Sequence, residues 1–429
     1  MGLIKKRIAD GVQLSYLETG KFKTNFLSFN FIAPLGRETA AKCALIPPVL
    51  LRGSEKYPTM AEISKKLDYL YASSLSARNY KRGERQVFGI CAGMIDSAYT
   101  IGGEDLVSEV VGVLEDILLH PVTNGAAFDA AYIESEKNNL IDTINGNIND
   151  KAYYARLRCI EEMCRNERFG LSENGTVEEV AACTAADVYA QYKLALEQYP
   201  IEIFFVGQCD IDRLTERFVA LFAGVKRAPM TIPETEIIRS AGESKTVVED
   251  MPVNQGKLTI GYRSGVTLND AEYPAFMLFN GIFGGGVTSK LFMNVREKMS
   301  LCYYCSSSPE PSKGLMLVQS GIEVKNREIA QKAIFEQLAD VQAGRFDQAE
   351  FDGALLGLIN NYQELSDSAR GLEHWYLGRM LDGVPGDPDD VVESLKAVTR
   401  EQIIEAANKV SLDTIYFLNG TLKGEDEDA

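Results

Sequence analysis

Two stretches far apart in the chain read as one unit used twice. Thr184-Ala185-Ala186-Asp187-Val188-Tyr189 leads to Ile201-Glu202-Ile203-Phe204-Phe205-Val206-Gly207. Thr399-Arg400-Glu401-Gln402-Ile403-Ile404 leads to Thr414-Ile415-Tyr416-Phe417-Leu418-Asn419-Gly420. Each is a helix followed by an apolar strand, with Thr-to-Gly spacings of 23 and 21 residues. Such a repeat constrains the fold more than any local propensity, because two copies of one unit imply two halves that bury their faces alike. Leu27-Ser28-Phe29-Asn30-Phe31 and Lys257-Leu258-Thr259-Ile260-Gly261-Tyr262 repeat in the same order, each followed by a buried helix and a further strand. The expected fold is α+β: two homologous halves, each a mainly antiparallel sheet with helices packed on one face. The expected boundaries are 1–227 and 255–429, joined by a linker over 228–254 that carries Pro229, Pro233 and Pro252.

Composition excludes several classes. A net charge of −17 and the acidic tail Gly424-Glu425-Asp426-Glu427-Asp428-Ala429 oppose a nucleic-acid partner, which wants a basic face. No window approaches the roughly 18 apolar residues of a spanning helix, so no membrane role is expected. The start, Met1-Gly2-Leu3-Ile4-Lys5-Lys6-Arg7, meets no apolar run of the signal-peptide kind, and Lys6 argues against myristoylation. The expected compartment is the cytoplasm. Eight cysteines, at 43, 91, 159, 164, 183, 209, 302 and 305, lack the density of a disulfide scaffold and read as small buried residues. Cys302-Tyr303-Tyr304-Cys305 has the spacing of a zinc or redox pair, but a strand there would point the two sulfurs to opposite faces. There are two histidines, His120 and His374, too few for a His-rich zinc site. His120, before Pro121, reads as a helix C-cap and His374 as a packed or surface aromatic.

Along the first half, strands are expected at 12–16, 26–33, 73–79 and 86–93, and helices at 103–119, 129–144 and 152–164. Thr59 followed three residues later by Glu62 marks another helix start. The run from Ala40 to Leu51 is helix-like yet holds Pro47 and Pro48. An interior proline removes a donor and clashes with the preceding turn, costing about 3 kcal/mol or more, so this helix is expected to break or restart there.

Two local anchors carry a family resemblance. One is Leu50-Leu51-Arg52-Gly53-Ser54 followed by Tyr57-Pro58. The other is Phe283-Gly284-Gly285-Gly286-Val287-Thr288-Ser289-Lys290-Leu291-Phe292 followed by Val295-Arg296-Glu297-Lys298 and Leu301-Cys302-Tyr303. On these the chain resembles the insulinase/pitrilysin family of zinc peptidases, in particular its small bacterial and mitochondrial-processing branch, over essentially its whole length. The resemblance implies a His-x-x-Glu-His motif just before the first anchor, two His holding one metal and the Glu activating its water. Those three positions fall on Ala44, Pro47 and Pro48, none of which can bind zinc or accept a proton. It implies a further ligand seven residues after another Glu, which matches Glu136 to the first acid and puts Thr143 at the ligand position. On the residues alone, Glu136 reads as a solvated helix carboxylate. The resemblance also implies that an Arg and a Tyr seven residues apart bind the peptide backbone and the developing oxyanion, the spacing of Arg296 and Tyr303. Gly284, Gly285 and Gly286 are similar to a glycine-rich loop that a non-catalytic family subunit uses near substrate; a plain turn explains them equally well.

The resulting expectation is an inactive homologue without a cofactor of its own, zinc residing in a paralogous motif-bearing partner. This chain would contribute peptide-substrate binding. A purely structural subunit and a peptide-binding or chaperone-like homodimer are the alternatives.

Overall fold

Both copies of the repeat occupy the same place in a sheet. The computed structural model describes residues 2–422, so the acidic tail lies outside the described residues. One sheet has six strands: Leu3–Ala9 (β1), Val12–Glu18 (β2), Thr24–Pro34 (β3), Ser74–Arg82 (β4), Arg85–Ile95 (β5) and Ile201–Gly207 (β6). Their spatial order is β1-β2-β6-β3-β5-β4. The other has five: Lys245–Met251 (β7), Gly256–Arg263 (β8), Cys302–Glu310 (β9), Leu315–Ile322 (β10) and Ser411–Gly420 (β11), in the order β7-β11-β8-β10-β9. β6 inserts parallel to β2 and antiparallel to β3, as β11 inserts parallel to β7 and antiparallel to β8. The helices before them, Ala185–Gln198 and Arg400–Asn408, both start on a capping box, Thr184 with Asp187 and Thr399 with Gln402. The α+β fold in two like halves is as expected.

The chain divides into two compact units that interleave in sequence. One comprises residues up to Asn145, Leu171–Glu234 and Ser366–Gly378; the other comprises Gly146–Gly170, Thr235–Leu365 and Arg379 onward. This differs from contiguous halves cut at 227. Part of the expected 228–254 linker is also strand: Lys245–Met251 alternates half-buried and exposed residues because β7 is an outer strand, bonded only to β11.

In the first unit Leu14, Leu27, Phe29, Phe31, Ile203 and Phe205 point from the sheet into the main core, against helices Ala40–Leu50, Leu106–Leu119 and Ala185–Gln198. The opposite face is not left open. Ser28, Asn30 and Arg78 sit on it, and Glu373 from the helix Ala369–Leu381 lies over them, fully buried. Its carboxylate accepts from Ser28 Oγ at 2.6 Å and from Arg78 Nη2 at 2.8 Å, and Arg78 Nη1 also reaches Asn30 Oδ1 at 3.0 Å. In the second unit the helix Lys151–Met163 plays the matching part. Cys159, Ile160 and Met163 pack on Leu315, Leu317, Tyr416 and Leu418, and Tyr154 and Tyr416 both donate to Glu249 at 2.7 Å. Each sheet is therefore covered on both faces, on one of them by a helix from the segment that interrupts the other unit's sequence.

Candidate functional site

The helix that would carry a metal motif forms in full. Ala40–Leu50 is one unbroken α-helix with Pro47 and Pro48 inside it, a correction to the expected break. The prolines fall in its last turn, so only the carbonyls of Cys43 and Ala44 lose their regular donors. Leu51 N–H still reaches Pro47 O at 3.2 Å. Burial of Ala40, Ala41, Cys43, Leu45, Ile46 and Leu50 against the core outweighs that loss. Of the motif positions, Ala44 and Pro47 are buried and Pro48 is partly so.

The first anchor is a tight turn after this helix. Ser54 N–H donates to Tyr57 O at 2.8 Å and Ser54 Oγ accepts from Tyr57 N–H at 3.1 Å. A Cβ on Gly53 would stand 2.5 Å from Pro58 O, so the close backbone approach demands glycine. Arg52 turns from this anchor onto the helix Ala130–Gly146, where its guanidinium ion-pairs with Glu136 and donates to Ser135 Oγ at 2.8 Å. Glu136 is thus not the solvated carboxylate expected. Its side chain is 10% exposed, and it also accepts from Asn139 Nδ2 at 3.1 Å. Nothing in the spacing between residues 52 and 136 foretold that partnership. Thr143, seven residues on, is exposed and spends its hydroxyl on its own helix, donating to Asn139 O at 2.8 Å. Among the described residues no three His, Cys, Asp or Glu side chains cluster as a metal site. His120 is the C-cap of Leu106–Leu119, and His374 is an exposed ring 5.3 Å from that of Tyr80.

In the second unit Arg296 lies on the irregular helical turn Leu291–Lys298, 38% exposed, over the Phe292 ring at 4.5 Å and 3.6 Å from Glu297. Tyr303 is 57% exposed on β9, an outer strand. Gly284 and Gly285 are packed: a Cβ there would meet Ser307 at 2.6 Å or Asn280 at 2.7 Å. Gly286 faces open space. The two cysteines flanking Tyr303 are brought together, contrary to expectation, because β9 is bulged at Tyr303 and Cys302 and Cys305 share a face.

One cavity of about 480 Å³ in the first unit was invisible to sequence reasoning. Phe22, Phe26, Tyr71, Met94 and Ile95 line it with the exposed Arg370. No helix among the described residues is long and apolar enough to cross a membrane.

The two-sheet fold and the stripped motif helix define an inactive metallopeptidase homologue. The family model described as Peptidase M16 inactive domain matches residues 182–358. The chain is 36% identical over 411 residues to "Probable inactive metalloprotease YmfF" of Bacillus subtilis (strain 168), covering 96% of each chain. It is 22% identical over 418 residues to "Antilisterial bacteriocin subtilosin biosynthesis protein AlbE" of the same strain, covering 92% of this chain and 96% of that one. Among solved structures, a conserved protein from Enterococcus faecalis V583 matches with a TM-score of 0.90 and 30% identity, over 99% of this chain and 100% of that one. The chain belongs to the M16 peptidase family, the insulinase/pitrilysin family its anchors resemble, as one of the inactive homologues.

Proposed function

We propose that the chain is the non-catalytic subunit of a two-subunit zinc peptidase, binding an extended peptide for a paralogue that carries the His-x-x-Glu-His motif. In this reading the partner supplies the metal and the general base. This chain supplies Arg296 and Tyr303, as donors aimed at substrate carbonyls, and an outer strand to which a peptide can add. The observation that carries the reading is the contrast between the two units. Ala44, Pro47 and Pro48 have lost every metal or proton function, while Tyr303 stands 57% exposed on an outer strand with Arg296 on the helical turn before it. A relative named for bacteriocin biosynthesis is in keeping with peptide substrates. Eight free thiols suit a cytoplasmic setting, and a bacterial source suits the relatives.

The test mixes the purified chain with a motif-bearing paralogue and follows cleavage of a quenched fluorescent peptide. Activity is expected from the mixture and from neither chain alone, and Arg296→Ala should lower kcat by about a hundred- to a thousandfold, the range for losing one oxyanion donor. Full activity of the mixture with Arg296→Ala and Tyr303→Phe combined would leave this chain a purely structural role. Stoichiometric zinc and unaided cleavage by this chain alone would overturn the reading altogether.

A further inference from the structure

Cys302 and Cys305 stand three apart on β9, where a regular strand would turn them to opposite faces. The pairing with β10 explains why they do not. Cys305 lies opposite Ser320, Tyr304 opposite Gly321 and Cys302 opposite Ile322, leaving Tyr303 as an extra residue opposite nothing. One inserted residue restores the parity, so both thiols face the side on which Leu291–Lys298 packs. Cys305 is 3% exposed and Cys302 is half-buried, within reach of small solutes. β9 is bonded only to β10, so its backbone can shift without breaking a second ladder.

The surroundings divide the two sulfurs by role. The neighbouring Cys305 thiol, foremost, and the Arg296 charge hold Cys302 at about 7 against the opposing effect of burial. Cys305 is pushed well up by its proximity to Cys302 and by burial. Burial, the largest cause, drives other thiols the opposite way from Cys302: Cys43 and Cys209 go up to about 12 and Cys91 to about 11. Cys302 is thus shifted toward the thiolate, in contrast to these thiols.

We propose that Cys302 and Cys305 are a peroxide-responsive dithiol: Cys302 is the attacking sulfur, and Cys305 resolves it into an intrastrand disulfide that brackets Tyr303 and Tyr304. The Cys302 thiolate attacks one oxygen of hydrogen peroxide; the S–O bond forms as the O–O bond breaks, and the departing hydroxide takes a proton and leaves as water. Cys305 then loses its proton to solvent and attacks the sulfenic sulfur. The S–S bond forms, the S–O bond breaks, and a second hydroxide leaves and is protonated to water. Two thiols have lost two electrons, and one peroxide has become two waters. A disulfide needs its Cα atoms within about 7 Å, so closure tightens the bulge and carries Tyr303 with it. The chemistry stands independently of the peptide-binding reading, since it needs only this chain and peroxide.

The test treats the full-length protein with hydrogen peroxide under native conditions, alkylates the remaining thiols and digests with trypsin. The fragment Met299–Lys313 holds both cysteines and none of the other six. That fragment is expected to lose two hydrogens before any other cysteine is oxidised, and Cys305→Ser should leave a sulfenic acid at Cys302 that dimedone traps. In the wild-type protein, which needs no variant to fold, iodoacetamide labelling of Cys302 should be half-maximal near pH 7. Labelling or oxidation of Cys302 no faster than that of Cys209 would overturn the proposal. So would direct passage of Cys302 to sulfinic acid with no disulfide formed.

Discussion

Glu202 gives the first unit a pH dependence whose size follows from its surroundings. It lies on β6, 6% exposed, between Gln13 of β2 and Asn30 of β3, and its Oε1 finds no hydrogen-bond partner. Burial pushes its carboxyl from 4.5 up to about 8, with Ser15 and Lys5 offsetting only part of the effect. Between those two values the folded protein holds a proton that the unfolded chain has released. Stability therefore falls as pH rises, by ~1.4 kcal/mol for each pH unit. The loss is absent below the unfolded value and complete above the folded one, reaching about 4–5 kcal/mol. Glu202→Gln is nearly isosteric and neutral at every pH, so the variant should match the wild type in acid and exceed it by that amount in mild base. Urea unfolding followed by circular dichroism across this range measures the difference directly. Carboxylates whose pKa is lowered, such as Asp270, held at about 2 by Arg239 and Thr267 despite burial, titrate outside the window and cancel between variant and wild type. A stability difference that stays flat with pH would refute the buried proton.

The ion pair between Arg78 and Glu373 should behave as a buried one, its side chains being 6% and 0% exposed. Arg78→Leu strands the carboxylate and should lower the unfolding free energy by about 3–5 kcal/mol in urea, whereas Arg78→Leu with Glu373→Leu should recover most of it. For the metal, Ala44→His alone should take up no zinc on equilibrium dialysis, because one imidazole in a buried helix is not a site. Ala44→His, Pro47→Glu and Pro48→His together with Thr143→Glu should bind it, since four residues put two imidazoles on one helix face.

Much of this fold is legible in the sequence because period and capping are local. The Thr-to-Gly repeat predicts β6 and β11, and the structure seats both beside a parallel neighbour with a capping box upstream. What the sequence does not reveal is which sheet a helix will cover. Lys151–Met163 carries an apolar stripe that could pack on either sheet, and only the tertiary fold places it on β8, β10 and β11. Pro47 and Pro48 misled for a related reason. A proline's cost is local, but the burial that outweighs it along Ala40–Leu50 is not. The facing of Cys302 and Cys305 depended on one extra residue at Tyr303, and a bulge has no signature in an alternating strand.

Arg52 ties the first anchor, which this chain has in common with the peptidases it resembles, to the helix Ala130–Gly146. The family resemblance implies two imidazoles, a zinc ion and three acids in this neighbourhood, and the metal's double charge is what makes clustered carboxylates tolerable there. Removing the ligands while keeping Glu136 would leave an acid 10% exposed with no cation near it. Arg52 supplies that cation, bonding Glu136 and Ser135 from the turn fixed by Gly53 and Pro58. Glu136 is therefore a compensated charge, held by a permanent guanidinium, while Ala44, Pro47 and Pro48 offer no ligand. On the proposed reading this pair holds the turn after the motif helix against Ala130–Gly146 within the first unit, while the second unit carries Arg296 and Tyr303 for the peptide.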